Sequence, residues 1–183
     1  IVCEQSSVYF VSLLYMRGII LAGGSGTRLR PVTLETPKPL LTVRRKPIVN
    51  HLLDFFCRHG VFDASLLIHR DHVDDYRWWQ ARYGVELPQS LRVVAEPEPM
   101  GTFGGLRLFR DTLIDAFIVS NGDELKDFDL TAMIRAHREN PLRPVATIAL
   151  VRVSNPSDYG VPILDGNRIV QFLEKPKMPP SDY

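Results

Sequence analysis

Charge of one sign is what this sequence most plainly lacks: 22 Lys and Arg stand against 21 Asp and Glu, a net charge of +1. Such a balance offers no broad positive field for nucleic acid or for an acidic membrane, so any charge that matters must be local. Cysteine is nearly absent too. Cys3 and Cys57 are the only two, far apart and without a partner pattern, which excludes a disulfide framework or a thiolate metal site and suits free thiols in a reducing cytosol. Long apolar runs are missing. The moderately apolar stretch Val8 to Tyr15 is too short and too polar to span a bilayer, and with no basic start and no clear cleavage site it fits a signal peptide poorly. No internal repeat, linker or low-complexity run interrupts the chain. Its five histidines show no convincing metal-ligand spacing, with His69 and His72 the nearest approach to one.

What is present is ordinary globular material, 183 residues with 45% hydrophobic and 23% charged content, enough for one domain with a substantial core. One stretch stands out, Leu21 to Leu41, reading LAGGSGTRLRPVTLETPKPLL. Ile19, Ile20 and Leu21 form a short apolar run that ends in Ala22-Gly23-Gly24-Ser25-Gly26, a buried strand entering a loop almost free of side chains. A ligand can touch the backbone of such a loop. Its glycines can turn N–H groups inward as a nest for anionic oxygens, and Arg28, Arg30 and Lys38 supply cationic donors immediately afterwards. Phosphate is the natural guest. A Walker loop would need Gly-Lys-Ser or Gly-Lys-Thr where Gly26 is followed by Thr27 and Arg28, and the dinucleotide pattern would need a small residue where Leu29 stands. Both fail.

The remaining chain alternates. Pro47 to His59 has the apolar spacing of an amphipathic helix, with Ile48, Val49, Leu52, Leu53, Phe56 and Cys57 on one side, proline in the first turn and Gly60 at the end. A strand is expected over Ala64 to His69 and a helix over Asp71 to Tyr83. There Trp78 and Trp79 point about 100° apart, so that one packs and the other covers the surface. Leu91 to Ala95 reads as a strand, Thr102 to Leu113 as a helix and Ala116 to Ser120 as a strand. Asp129 is expected to cap a helix through Glu139 and Pro144 to Val153 to form a strand. A hairpin of Gly160 to Leu164 with Arg168 to Leu173 would turn at Asp165-Gly166-Asn167. The order β-α-β-α-β-α-β implies a mostly parallel sheet with helices on both faces and ligands at the carboxyl ends of its strands.

The candidate residues fall at those ends. Asp123, in Asn121-Gly122-Asp123, follows the fourth strand, and a carboxylate there suits Mg2+, which takes one or two such groups plus phosphate oxygens. Asn-Gly-Asp is also good turn chemistry. Glu96 to Gly105 follows the third strand and on spacing alone is a loop leading into a helix.

Together these segments resemble the sugar-1-phosphate nucleotidylyltransferases. Gly23 to Pro31 matches G-G-x-G-T-R-L-x-P, Pro37 to Leu40 matches P-K-P-L, and Glu96 to Gly104 resembles E-x-x-x-x-G-T-x-G. Asn121-Gly122-Asp123, Tyr159-Gly160-Val161 and Phe172-Leu173-Glu174-Lys175-Pro176 match further motifs. The resemblance implies a Rossmann-like three-layer α/β/α fold with a mostly parallel mixed sheet, carboxy-terminally truncated. It implies transfer of a nucleotide from an NTP to a sugar 1-phosphate, giving an NDP-sugar and pyrophosphate. Leu21, Ala22, Gly23, Gly24, Ser25, Gly26, Thr27, Glu96, Gly101 and Thr102 would bind the nucleotide, Arg28 and Lys38 would act on its phosphates, and Asp123 would hold Mg2+. Gly160, Glu174 and Lys175 would bind the sugar and its phosphate. The Gly-Thr wording leans toward GTP with mannose or heptose 1-phosphate. A thymidylyl- or uridylyltransferase acting on glucose 1-phosphate is the nearest alternative.

Residues 1–15 are expected to be a leader outside the family, and 16–183 a nucleotidyltransferase domain incomplete at its carboxyl end, with a second metal aspartate expected beyond Tyr183. A non-catalytic nucleotide- or sugar-phosphate-binding module is a rival reading. An NAD-binding domain is a weaker one, disfavoured by Leu29 and the cation-rich loop. The expected partners are small-molecule substrates in the cytoplasm, with no nucleic acid and no membrane; a homo-oligomer stays open.

Overall fold

The computed structural model describes residues 16–24, 26–88 and 90–183. Cys3, the run Val8 to Tyr15, the rest of the 1–15 leader and Ser25 lie outside the described residues. Contacts divide the chain into two compact units, one running to Asp129 and one of Leu130–Tyr183.

The first unit is built on β1 (Arg17–Ala22), sequence RGIILA. Ile19, Ile20 and Ala22 are buried, the continuous apolar reading of a strand covered on both faces. Gly18 is required by packing, since a Cβ there would lie 2.3 Å from Cε2 of Phe56. After the glycine loop a short ladder of β2 (Thr42–Val43) with β3 (Lys46–Pro47) leads into α1 (Ile48–Arg58). Pro47 precedes the first turn. At the far end Gly60 takes φ +76°, its N–H bonds Cys57 O at 3.1 Å, and the N–H of Val61 bonds Phe56 O at 3.0 Å. That pair of bonds is a Schellman stop, so Gly60 ends the helix as its position in the sequence suggests.

The face α1 buries is Val49, Asn50, Leu52, Leu53, Phe55 and Phe56, its large apolar side chains each contributing about 1.5–3 kcal/mol. Cys57 is only half-buried, and Phe55 takes the core position expected of it. Burial first, and the nearby Asp54 charge second, push the Cys57 thiol above its ordinary pKa.

β4 (Asp63–His69) follows, then α2 (Val73–Tyr83), which buries Tyr76 and Trp79. Trp79 is 1% exposed and Trp78 67%, the division of labour expected of neighbouring helical positions. The buried indole N–H is satisfied by Asn50 Oδ1 of α1 at 2.7 Å. β5 (Arg92–Glu96), α3 (Gly101–Gly104) and β6 (Phe117–Asn121) complete the unit. The expected helix over Thr102 to Leu113 is a correction: one turn of α-helix gives way to a 3-10 stretch over Gly105–Phe109. Two adjacent glycines have poor helix propensity. Gly105 is also pressed so closely on β4 and β5 that a Cβ would sit 2.2 Å from Leu67 Cδ2 and 2.5 Å from Glu96 Oε1.

The sheet is parallel throughout, in the order β5-β4-β1-β6. The chain steps outward from β1 to β4 and β5, then returns to the other side of β1 for β6. The carboxyl ends of β1 and β6 therefore flank the point where strand order reverses, the place where open α/β sheets form a ligand crevice.

The second unit holds α4 (Leu130–Arg138), which starts directly after Asp129, and the antiparallel hairpin of β7 (Gly160–Asp165) with β8 (Arg168–Glu174). The hairpin turns at Gly166 and Asn167, with Gly166 at φ +57°, and a bulge shifts the register between Ile163 and Leu164. Pro144 to Val153 is a second correction. It forms no strand, and Val145, Ile148 and Val151 are exposed. Its composition favours β-structure, but a strand needs a hydrogen-bonded neighbour, and this segment joins none of the three sheets among the described residues.

Candidate active site

A cavity of about 520 Å3 opens at the carboxyl ends of the sheet in the first unit. Of the residues singled out in the sequence, Leu21, Ala22, Gly23, Gly24, Gly26, Lys38, Glu96, Gly101, Thr102 and Asp123 line it. Thr27 and Arg28 do not; they sit on the exposed 3-10 turn Thr27–Leu29 just beyond the loop. Gly160, Glu174 and Lys175 belong to the second unit, where Gly160 and Glu174 are register partners in the hairpin and Lys175 N–H bonds Tyr159 O at 3.0 Å.

The glycine loop is held by its own backbone. Gly26 takes φ +57°, and its carbonyl accepts from Leu29 N–H at 2.9 Å and from Thr33 Oγ1 at 2.8 Å. A Cβ on Gly26 would lie 3.0 Å from Thr33 Cγ2, so sterics and backbone conformation both demand glycine there. Across the cavity, Gly122 lets the loop after β6 close over the end of β1: its N–H bonds Leu21 O at 2.8 Å. That loop carries Asp123.

Lys38 opens a 3-10 turn, with Pro37 before it and a buried Pro39 after it. The two prolines restrict the backbone on either side, and the ammonium reaches Asp123 Oδ2 at 2.6 Å. This ion pair joins residues 85 apart in sequence, and its side chains are 32% and 36% exposed, open enough to exchange partners with a ligand. Glu124 lines the same wall. Burial pushes its carboxyl upward, but hydrogen bonds from Lys126 and Asn121 and the charge of Lys126 outweigh that and leave it below the ordinary 4.5, with Asp123 opposing.

Glu96, the last residue of β5, is only 7% exposed. Its carboxylate lies between two glycines: a Cβ would come within 3.2 Å of Oε2 at Gly23 and within 2.5 Å of Oε1 at Gly105. Leu67, His69, Pro39, Pro99, Asn121 and Glu124 also line the cavity. His69 ends the second strand, so its signal in the sequence is the same as that of the segments ending the other three. Glu124 had only its adjacency to Asp123 as a signal.

Among the described residues no group of three or more His, Cys, Asp or Glu gathers as a metal cage. The carboxylates present suit a hard cation that keeps water and takes its remaining oxygens from phosphate. No helix among the described residues is long and apolar enough to cross a membrane.

A glycine loop, a lysine–aspartate pair and a buried glutamate gather around the switch point of the parallel sheet in an α/β protein of the Rossmann-like kind. The Nucleotidyl transferase family matches residues 17–183, and the chain belongs to that family. It is 37% identical over 175 residues to mannose-1-phosphate guanylyltransferase catalytic subunit beta of Danio rerio, covering 89% of this chain and 46% of that protein. It thus spans about half the length of the curated relatives it matches. Among solved structures, a candidate glucose-1-phosphate thymidylyltransferase of Bacillus anthracis with sucrose bound superposes with TM-score 0.79 at 27% identity, covering 92% of this chain and 68% of that one. HddC of Yersinia pseudotuberculosis in complex with GMP-PN gives TM-score 0.71 at 26% identity, with 87% and 69% covered.

Proposed function

We propose that this chain carries the nucleotide-binding part of a cytoplasmic sugar-1-phosphate nucleotidylyltransferase that uses GTP and mannose or heptose 1-phosphate. The observation that carries the reading is the meeting of the glycine loop, Lys38, the Glu96 loop and Asp123 around one cavity. The GTP preference is supported by the zebrafish relative, named as a guanylyltransferase, and by the neighbour solved with GMP-PN.

In the reaction an oxygen of the sugar phosphate attacks the α-phosphorus of the NTP in line. The new P–O bond forms as the bond to the β-phosphate oxygen breaks and pyrophosphate departs with its electron pair. No covalent enzyme intermediate is needed, so the protein's work is alignment and charge stabilisation. Loop N–H groups hold phosphate oxygens. Lys38 transfers its ammonium from Asp123 to the α-phosphate. Arg28, on the turn beside the loop, follows the charge that grows on the pyrophosphate. Asp123 would hold Mg2+, which when bound supplies positive charge to the phosphate oxygens. The part of Gly160, Glu174 and Lys175 in holding the sugar phosphate rests on the resemblance alone.

The test is calorimetry and pyrophosphate release on this chain with Mg2+, comparing GTP plus mannose 1-phosphate with dTTP or UTP plus glucose 1-phosphate. Release with the guanine pair is expected. Binding of NTP without any release would favour the non-catalytic module. Faster release with dTTP would favour the thymidylyltransferase reading, to which the Bacillus anthracis neighbour lends its support.

A further inference from the structure

His69 is the last residue of β4 and the register partner of Glu96 on β5. Register partners in a parallel ladder turn their side chains to the same face about 4.8 Å apart, and both residues line the cavity. The His69 side chain is 26% exposed. Its Nδ1 accepts the backbone N–H of Asp71 at 3.2 Å. A ring nitrogen that accepts carries no proton, so in this arrangement the ring N–H is on Nε2, and the Asp71 carboxylate flanks the ring with Oδ2 3.5 Å from Nδ1. The ring is steadied by an edge-on contact with His72 at 6.1 Å between centroids, and His72 Nδ1 is itself tied to Asp75 Oδ2 at 2.9 Å. Nε2–H has no acceptor among the described residues. Beside it Glu96, a residue only 7% exposed, lines the cavity and has no hydrogen-bond partner among the described residues. Its oxygens are therefore left to accept N–H donors from a ligand in the cavity.

Across the two strands this wall offers one donor and then two acceptors. The Watson–Crick edge of guanine runs in the complementary order, with the O6 carbonyl, then N1–H, then the N2 amino group. Uracil and thymine would set a second carbonyl against the carboxylate. Adenine and cytosine present an amino group where His69 needs an acceptor and a ring lone pair where Glu96 needs a donor. We propose that His69 is a base-reading residue of this site, donating Nε2–H to O6 of a bound guanine nucleotide while Glu96 accepts from N1–H and N2–H. This rests on the nucleotide-binding reading above and assigns its base specificity to a residue outside the resemblance.

The experiment is calorimetry on this chain with GTP and with 6-thio-GTP, which keeps both N–H donors and weakens only the acceptor at position 6. Wild-type protein should bind 6-thio-GTP up to about tenfold more weakly, the worth of one hydrogen bond. His69→Phe should lose about as much for GTP and bind the two nucleotides alike. His69→Gln, whose amide N–H can replace the imidazole donor, should stay within about threefold of wild type for GTP. Equal binding of the two nucleotides by wild-type protein overturns the proposal without needing any variant, as does a GTP preference that survives in His69→Phe. Both of those outcomes leave the functional reading standing. Failure of wild-type protein to bind any NTP would bring down that reading and this inference with it.

Discussion

Alanine at Gly105 should cost both stability and nucleotide affinity. A Cβ added there would stand 2.2 Å from Leu67 Cδ2 and 2.5 Å from Glu96 Oε1. Leu67 and Glu96 both meet the new methyl with side-chain ends and both line the cavity, so the clash is relieved by turning the leucine and by displacing the Glu96 carboxylate. Overpacking of this kind costs about 1–3 kcal/mol. For a domain of this size that is a fall in Tm of roughly 2–4 °C per kcal/mol. The carboxylate has no hydrogen bond to hold it, so it moves first, and GTP affinity should fall about tenfold as its acceptors leave the base edge.

Gly84→Ala is the control. Gly84 has φ −53° and ψ −33°, and open space where the Cβ would go, so alanine there should stabilise by about 0.4–1 kcal/mol. Urea unfolding of the two variants and calorimetry with GTP read both effects. If Gly105→Ala matched wild type within about 0.5 kcal/mol and bound GTP equally well, the slot between Gly23 and Gly105 would not be what positions Glu96.

Asp123→Asn should keep the fold, because a partly exposed ion pair contributes at most about 1 kcal/mol, yet lose at least ~2 kcal/mol of transition-state stabilisation in Mg2+-dependent turnover. A rate within about threefold of wild type would remove Asp123 from the metal. Arg28→Ala should lower kcat more than it raises KM, since its partner gains charge as the bond breaks; a change in KM alone would make it a ground-state contact. Asn50→Ala should destabilise by about 1–3 kcal/mol, because it strands the buried Trp79 N–H, measurable as a lower urea midpoint at constant slope. An unchanged midpoint would mean that the indole finds another acceptor.

The parts of the fold legible in the sequence are those whose signal is local. Gly60 ends α1 because a left-handed residue is needed one step past the helix, and Gly166 turns the hairpin for a similar reason. The lone apolar run at Ile19 to Leu21 could be read as a covered strand before any neighbour was known. Where the decision belongs to a partner, local signal misleads. Pro144 to Val153 has the composition of a strand and joins no sheet among the described residues. Thr102 to Leu113 has the spacing of a helix, but Gly105 must press on β4 and β5. Asn50, a polar residue on the buried face of α1, makes sense only beside Trp79, 29 residues away.

The same distinction separates what the glycines of the site say from what they do. In the sequence, Gly23, Gly24 and Gly26 form one group, a nest for phosphate, while Gly105 belongs to the loop that would take a base and Gly122 to a turn. In three dimensions the grouping changes. Gly24 has open space around it, which suits a backbone offered to a ligand, and Gly26 is fixed by its left-handed backbone and Thr33. Gly23 instead belongs with Gly105, since the two clear the sides of the Glu96 carboxylate. Gly122 belongs with Leu21, whose carbonyl would lie 3.0 Å from a Cβ there, and it brings Asp123 over the end of β1 within reach of Lys38. Glycine is one letter in the sequence, but here it performs three different tasks. Two of them are set from far along the chain, since Gly23 clears the carboxylate of Glu96 and Gly122 closes its loop over Leu21, while Gly105 clears the same carboxylate from close by in sequence.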